Sequence, residues 1–497
     1  MLLDQIIYMG QQFLFLFTPE NLILQVLGMT LGIIMGCLPG LNATLGIALL
    51  TPLTFAVPTA NAIAVLMSLY VGVMFGGSIS AILINIPGTG SAAATLIDGY
   101  PLAKKGQAAN AIMVSRWGSA LGCFIGLIFF VVCAPLLSMV AINFSSPEYF
   151  WLGVMGLLVC GSFSSPDMPV KGWIGAILGL LISFIGIEDI HAAHRFTYGV
   201  PQLYSGVELI SVMMGFFGIP AIISALHTRH VVTTEHLGKT DLNILRFLKK
   251  NVFWILRWST IGVWIGALPG VGENVAAFMA YSDAKKNHPD GPKMGSGEYI
   301  GVVAPEVGND SAIGGAVLPM LTLGVPGSPP AAVLMGALML HGLRPGPLLP
   351  TDNPEIIPQI AATLFIGTFL TLFMGWVLTK PLVKVLKLKP QMLMPIIATL
   401  VVVGAYAIKS SQFDTGSMIA FGFIGYILSK LDFNPAPLIL GMILGPIIDF
   451  NMRRTLMLND GSLAGFFSKP LSFVIISLIA LSFIVPWLKK RRKAGLA

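Results

Sequence analysis

Between Glu20 and Asp98 the chain carries no charged side chain. What interrupts this run is Pro, Gly and small polar residues, above all in "INIPGTGSAAATLIDGYP" from Ile84 to Pro101. Further uncharged runs cover 117–147, 356–379, 390–408 and 470–488, with shorter ones at 149–166, 172–187, 209–226, 415–429 and 433–448. A helix needs about 20 apolar residues to cross a bilayer. The runs are uniformly apolar rather than alternating, which argues for helices and against a β-barrel. The pattern predicts an all-α polytopic membrane protein with about 10 to 12 helical segments, some tilted and some stopping short of a full crossing.

Composition agrees. Of 497 residues, 55% are hydrophobic and 10% charged, against about 25% charged in ordinary soluble chains. The net charge of +7 resides in short loops and the C-terminus, where basic residues set topology and meet anionic lipid, so the bilayer and not nucleic acid is the implied partner. Cys37, Cys123, Cys133 and Cys160 lie in apolar runs without metal-ligand spacing and read as packing residues. "MLLDQIIYMG" has no basic n-region, so a cleaved signal peptide is not expected.

The positive-inside rule places "KKRRK" (Lys489 to Lys493), the loop from His227 to Asn251 and "KPLVKVLKLK" (Lys380 to Lys389) in the cytoplasm. Counting back from that loop leaves Glu188 to Arg195 outside, Lys171 inside, Glu148 outside, and Lys104, Lys105 and Arg116 inside. Arg453 and Arg454 depart from the rule, since the same counting puts them outside.

The chain also repeats itself. "LGIIMGCLPGL" (Leu31 to Leu41) recurs as "IGVWIGALPGV" (Ile261 to Val271), and "NIPGTGSAA" (Asn85 to Ala93) as "GVPGSPPAA" (Gly324 to Ala332). Lys105 then corresponds to Arg344, which the charges place on the opposite side, so the expected halves insert with opposite orientation. This divides the chain into a first membrane repeat with its following helices (1–226), a basic cytoplasmic linker (227–251), and a second repeat with C-terminal helices and a basic tail (252–497). Inverted repeats with hydrophobic segments broken at matching positions point to a secondary transporter.

A Pro-Gly pair inside an apolar run favours two half-helices joined by an unwound or re-entrant loop. Half-helix N-termini present free N–H groups to carboxylate, which nominates Pro39, Gly40, Pro87, Gly88, Thr89, Gly90, Ser91, Pro326, Gly327 and Ser328 for substrate. Side-chain oxygens of Asn42, Thr44, Asn85 and Asn274, with Glu273, suit a coupling Na⁺ or proton. Glu273 replaces Ala43 of the first copy, and "APEVGNDSAIGG" adds Glu306, Asn309, Asp310 and Ser311. Asp98 reads as a helix cap near the cytoplasmic loop. "GTGSAA" fits a dinucleotide-binding pattern but lacks its βαβ context. His191 and His194 beside Glu188 and Asp189 read as solvated loop residues rather than metal ligands. No Ser-His-Asp or Cys-His arrangement supports an enzyme.

"GCLPGLNATLGIALLTPLTF", "GGSISAILINIPGTGSAAATLIDGYPLAKKGQ" and "GVPGSPPAAVLMGALMLHGLRPGP" resemble the signatures of the TctA family, the large permease subunit of tripartite tricarboxylate transporters. The resemblance runs over nearly the whole chain. It implies an ion-gradient-driven inner-membrane importer of carboxylates such as citrate, with dicarboxylates and aromatic acids handled by other members. It also implies a small membrane subunit and a periplasmic substrate-binding protein as partners, and no cofactor beyond the coupling ion. The alternative from another class is an anion channel, or a membrane scaffold subunit without its own transport cycle.

Overall fold

The computed structural model describes every residue except 1, 39, 165–167, 189, 228–236, 239, 387–389 and 482–497. The expectations for Pro39, Asp189, Arg229, Lys239 and the tail Lys489 to Lys493 therefore lie outside the described residues. The chain is almost wholly helical. In order come α1 (Leu2–Leu16), α2 (Pro19–Cys37), α3 (Ala43–Thr54), α4 (Thr59–Ile84), α5 (Ala92–Lys104) and α6 (Ala108–Ala141). Then follow α7 (Ser146–Ser164), α8 (Pro169–Ser183), the short strands β1 (Gly186–Ile187) and β2 (His194–Arg195), and α9 (Leu209–His227). The second half holds α10 (Ile244–Lys250), α11 (Val252–Ala267), α12 (Gly272–Asn287), α13 (Tyr299–Leu323), α14 (Pro329–Leu340) and α15 (Leu349–Asp352). Then come α16 (Ile356–Val385), α17 (Pro390–Lys409), α18 (Gln412–Lys430) and α19 (Pro435–Leu458), followed by a further apolar helix at Pro470–Leu481.

Among the described residues, α2, α4, α6, α16 and α19 are long and apolar enough to cross a membrane. α3 and α14 have 12 residues each, about 18 Å of helix against a hydrocarbon core of about 30 Å, so neither crosses alone. Most of the uncharged run 117–147 lies in α6, which starts earlier, at Ala108, and ends at Ala141. Its polar N-terminal turns are accommodated: the Asn110 side chain accepts from Asp241 N (3.1 Å) and Leu242 N (3.3 Å), and Ser119 faces a buried carboxylate.

Contacts divide the chain into two compact units, 1–138 with 210–427 and 139–209 with 428–497, so each draws on both halves of the sequence. In the smaller unit α7, α8 and α19 pack closely. A Cβ on Gly179 would lie 1.8 Å from the Leu438 carbonyl, and one on Gly441 2.1 Å from that of Ala176. Glu148 accepts from Ser472 Oγ at 2.6 Å, and Arg195 pairs with Asp449 at 2.9 Å. Arg453, one of the two residues that departed from the charge rule, bonds Asp449 at 3.0 Å and lies 3.9 Å from Glu188. Burial pushes the Glu188 carboxyl up, but the backbone N–H groups of His191 and Ile190 and the Arg453 guanidinium more than offset this and hold it below the usual range. His191 is thus tied to Glu188, its ring 3.3 Å away.

In the larger unit glycines set the closest approaches, as small residues do between membrane helices. A Cβ on Gly32 would meet the Leu69 carbonyl at 2.4 Å, and one on Gly36 that of Val73 at 2.2 Å. Gly262 stands the same way against Gly308 (2.2 Å), and Gly266 against Ala312 (2.3 Å). Gly76 approaches Ile33 and Gly315 approaches Val263, both at 2.3 Å. The pairing of α2 with α4 thus recurs between α11 and α13, residue for residue under the sequence correspondence. α4 and α13 are the most enclosed helices of the unit.

Candidate functional site

Each Pro-Gly break is followed at once by a helix N-terminus. Asn42 caps α3, its Oδ1 accepting from Leu45 N at 2.9 Å. α4 ends where Asn85 takes the left-handed conformation (φ 58°, ψ 28°), and α13 ends the same way at Gly324 (φ 73°, ψ 16°). Asn is among the few side chains that tolerate this geometry, which supplies a backbone reason for Asn85. Beyond it, Gly88 N donates to Gly77 O (3.2 Å), and Ala92 N, at the start of α5, donates to Thr89 Oγ1 (3.3 Å). In the second half Gly327 N donates to Ala316 O (3.2 Å) and Gly270 N to Pro326 O (3.3 Å). Ser328 caps α14 by accepting from Ala331 N at 3.3 Å.

The breaks touch one another. A Cβ on Gly88 would fall 1.8 Å from the Gly36 carbonyl, and one on Gly327 2.0 Å from that of Gly266. Gly90 lies against the amide of Asn274, and Gly272 against Ser328, so loops from both halves meet. Thr44, Gly88, Thr89, Ser91, Glu273, Pro326, Gly327 and Ser328 are buried there; Asn42 and Pro87 are half-buried; Gly40, Asn85, Gly90 and Asn274 are exposed. The hydroxyls of Thr89 and Ser328 and the Asn42 carbonyl thus serve as helix caps, leaving their remaining lone pairs for other partners.

Besides Asp98 and Asp414, three described carboxyl groups of this unit are buried: Glu273, Glu306 and Asp310. Glu273, in the first turn of α12, accepts from the Tyr70 hydroxyl of α4, which stands 2.9 Å from Ser328 Oγ. Glu306 of α13 accepts from Ser78 of α4 and Thr95 of α5 on one oxygen, and from Ser119 of α6 at 2.8 Å on the other. Asp310, one turn on, is reached by Asn309 Nδ2 at 3.4 Å. Among the described residues none of the three pairs with Lys, Arg or His. A charge so enclosed is costly unless a cation or proton accompanies it. Tyr70, Ser78, Thr95 and Ser119 escaped sequence reasoning because lone hydroxyls in apolar runs are ordinary. The spacing of Ser115 and Ser119, one turn apart on α6, was the signal available.

Asp98 does act as a cap, but for a different segment. From inside α5 it accepts from the backbone of Gly295 (2.8 Å), Gly297 (2.8 Å) and Glu298 (2.9 Å) and from Tyr281 OH (2.9 Å), holding the entry to α13.

The family described as "Tripartite tricarboxylate transporter TctA family" matches residues 22–440. The chain is 34% identical over 470 residues to the "Uncharacterized 52.8 kDa protein in TAR-I ttuC' 3'region" of Agrobacterium vitis, covering 93% of this chain and 92% of that one. It is also 34% identical over 217 residues to the "Uncharacterized protein in TAR-II ttuC' 3'region" of the same organism, covering 44% of this chain and 90% of that one. No solved structure matches.

Proposed function

Since the chain belongs to the tripartite tricarboxylate transporter TctA family, a multi-pass membrane transporter family, we propose that it is an ion-gradient-driven importer of organic carboxylates, a tri- or dicarboxylate such as citrate. It works in the bacterial inner membrane with its C-terminus in the cytoplasm, as the large permease of a three-component system with a small membrane subunit and a periplasmic binding protein. The observation that carries this reading is the meeting of Pro-Gly breaks from both halves, each opening onto a helix N-terminus. Such ends suit carboxylate, and the buried acids beside them suit a coupling Na⁺ or proton. The matched glycine contacts support two repeats, and the charge pattern supports their inverted insertion and alternating access around the breaks.

The test is uptake of labelled citrate and of labelled dicarboxylates into vesicles holding all three components, with Na⁺ and H⁺ gradients imposed separately. A carrier saturates with substrate, and one of the gradients raises its accumulation. Uptake indifferent to both gradients, or conductance without the binding protein, would give the protein to the channel class.

A further inference from the structure

α13 carries two buried acceptor oxygens that no donor reaches, Asp310 Oδ1 and Asn309 Oδ1. Asp310 is wholly buried and Asn309 is 2% exposed. The Asn309 amide turns its NH₂ toward the other oxygen of Asp310, Oδ2 (3.4 Å), which leaves Asp310 Oδ1 without a donor. One turn back on the same face stands Glu306, whose two oxygens are already engaged by hydroxyls from α4, α5 and α6. Ser119 serves both acids, bonding Glu306 at 2.8 Å and standing beside Asp310. A buried acceptor without a donor costs about 1–3 kcal/mol, and more if charged. An unpaired oxygen on a buried carboxylate, with a second carboxylate one turn away, suits a positive ligand and not an anion.

The other groups facing Asp310 leave this unchanged. Glu306 on its own helix and Glu273 on α12 add negative charge. Tyr70 on α4 donates to Glu273, and the Cys123 thiol on α6 donates to Leu364 O at 3.6 Å. Asp98 of α5 and Tyr281 of α12 bond each other at the start of α13. Arg116, between Ser115 and Ser119 in sequence, runs instead along Gly375 and Phe75.

We propose that Asp310, with Ser119 beside it, forms the binding point for a hard monovalent cation, Na⁺ or a proton. It rests on the carrier reading above and gives the coupling ion a place apart from the Pro-Gly loops. Because Glu306 is bonded to α4, α5 and α6, charge arriving at Asp310 one turn away is felt by helices of both halves.

The purified full chain in detergent, without substrate, tests this. Its melting is followed as NaCl replaces choline chloride at constant ionic strength, and separately across pH in Na⁺-free buffer. A Na⁺ ligand raises Tm with Na⁺, while a proton ligand gives a step in Tm with pH and no Na⁺ response. Asp310→Asn removes whichever response the wild type shows, or moves its midpoint by about tenfold or more. If that variant fails to fold, Ser119→Ala is expected to move the same midpoint. A wild type indifferent to both ions, or foldable variants responding as the wild type does, would overturn the site. The readout is independent of transport. A cation response without gradient-driven uptake would therefore sink the transporter reading alone, and coupled uptake with no cation response would sink this site alone.

Discussion

At the scale of single residues, the breaks are held by contacts too close for any side chain. Gly88 sits where a Cβ would lie 1.8 Å from the Gly36 carbonyl and 2.9 Å from Gly77 Cα, both backbone atoms that cannot swing aside. Gly416, inside α18, has nothing within 4 Å. Gly88→Ala is therefore expected to destabilise by at least about 1–3 kcal/mol through overpacking. Gly416→Ala is expected to be neutral or to stabilise by up to about 1 kcal/mol through helix propensity. Melting of the two purified variants checks this, and equal Tm values would contradict the close approach. The Pro-Gly motifs were legible in sequence because they repeat and interrupt an apolar run. Tyr70 and Ser78 were not, because nothing local distinguishes a hydroxyl that meets a carboxylate from one that bonds its own helix. Thr322, for example, bonds back to Leu318 O at 2.8 Å. Their partners, Glu273 and Glu306, lie in the other half of the chain, and only tertiary structure brings them together.

At the scale of elements, helix type and rough position followed from hydropathy, whereas the ends did not. α6 starts well before the uncharged stretch because its polar residues have buried partners. α4 and α13 stop where a left-handed residue ends the ladder, a feature carried by backbone and not by polarity. The Asp98 latch shows one element ordering another. The stretch from Gly295 to Glu298 contains glycines with φ of 99° and 100°, and its N–H groups converge on one carboxylate of α5. Hydrogen bonds to a charged acceptor contribute about 1.5–3 kcal/mol each. Asp98→Asn keeps the shape but loses the charge. The amides of Gly295, Gly297 and Glu298 are then expected to exchange with deuterium about tenfold faster or more, with α4 unaffected. Unchanged exchange there would mean that the loop is ordered without Asp98.

At the scale of the molecule, the glycine contacts that recur between α2–α4 and α11–α13 were legible in the sequence, because they follow glycine spacing rather than side-chain chemistry. The compact units were not, since each combines segments far apart in sequence. A consequence can be tested by cutting the chain between α9 and α10, at a position in 228–243. Glu306 then lies on one piece, and Ser78, Thr95 and Ser119, which satisfy it, lie on the other. Glu273 is likewise parted from Tyr70. Either piece alone leaves buried acids without donors and parts the glycines of α6, such as Gly122 and Gly126, from the α13 backbone they pack against, a loss of several kcal/mol against a typical stability of about 5–15 kcal/mol. Each piece expressed alone is expected to give no uptake and to be degraded. Co-expressed pieces are expected to co-purify through a tag on one of them and to recover uptake with the partner subunits, because no connection through the linker is needed for those contacts. Uptake by a single piece, or pieces that never co-purify, would show that the buried acids do not depend on hydroxyls from the opposite half.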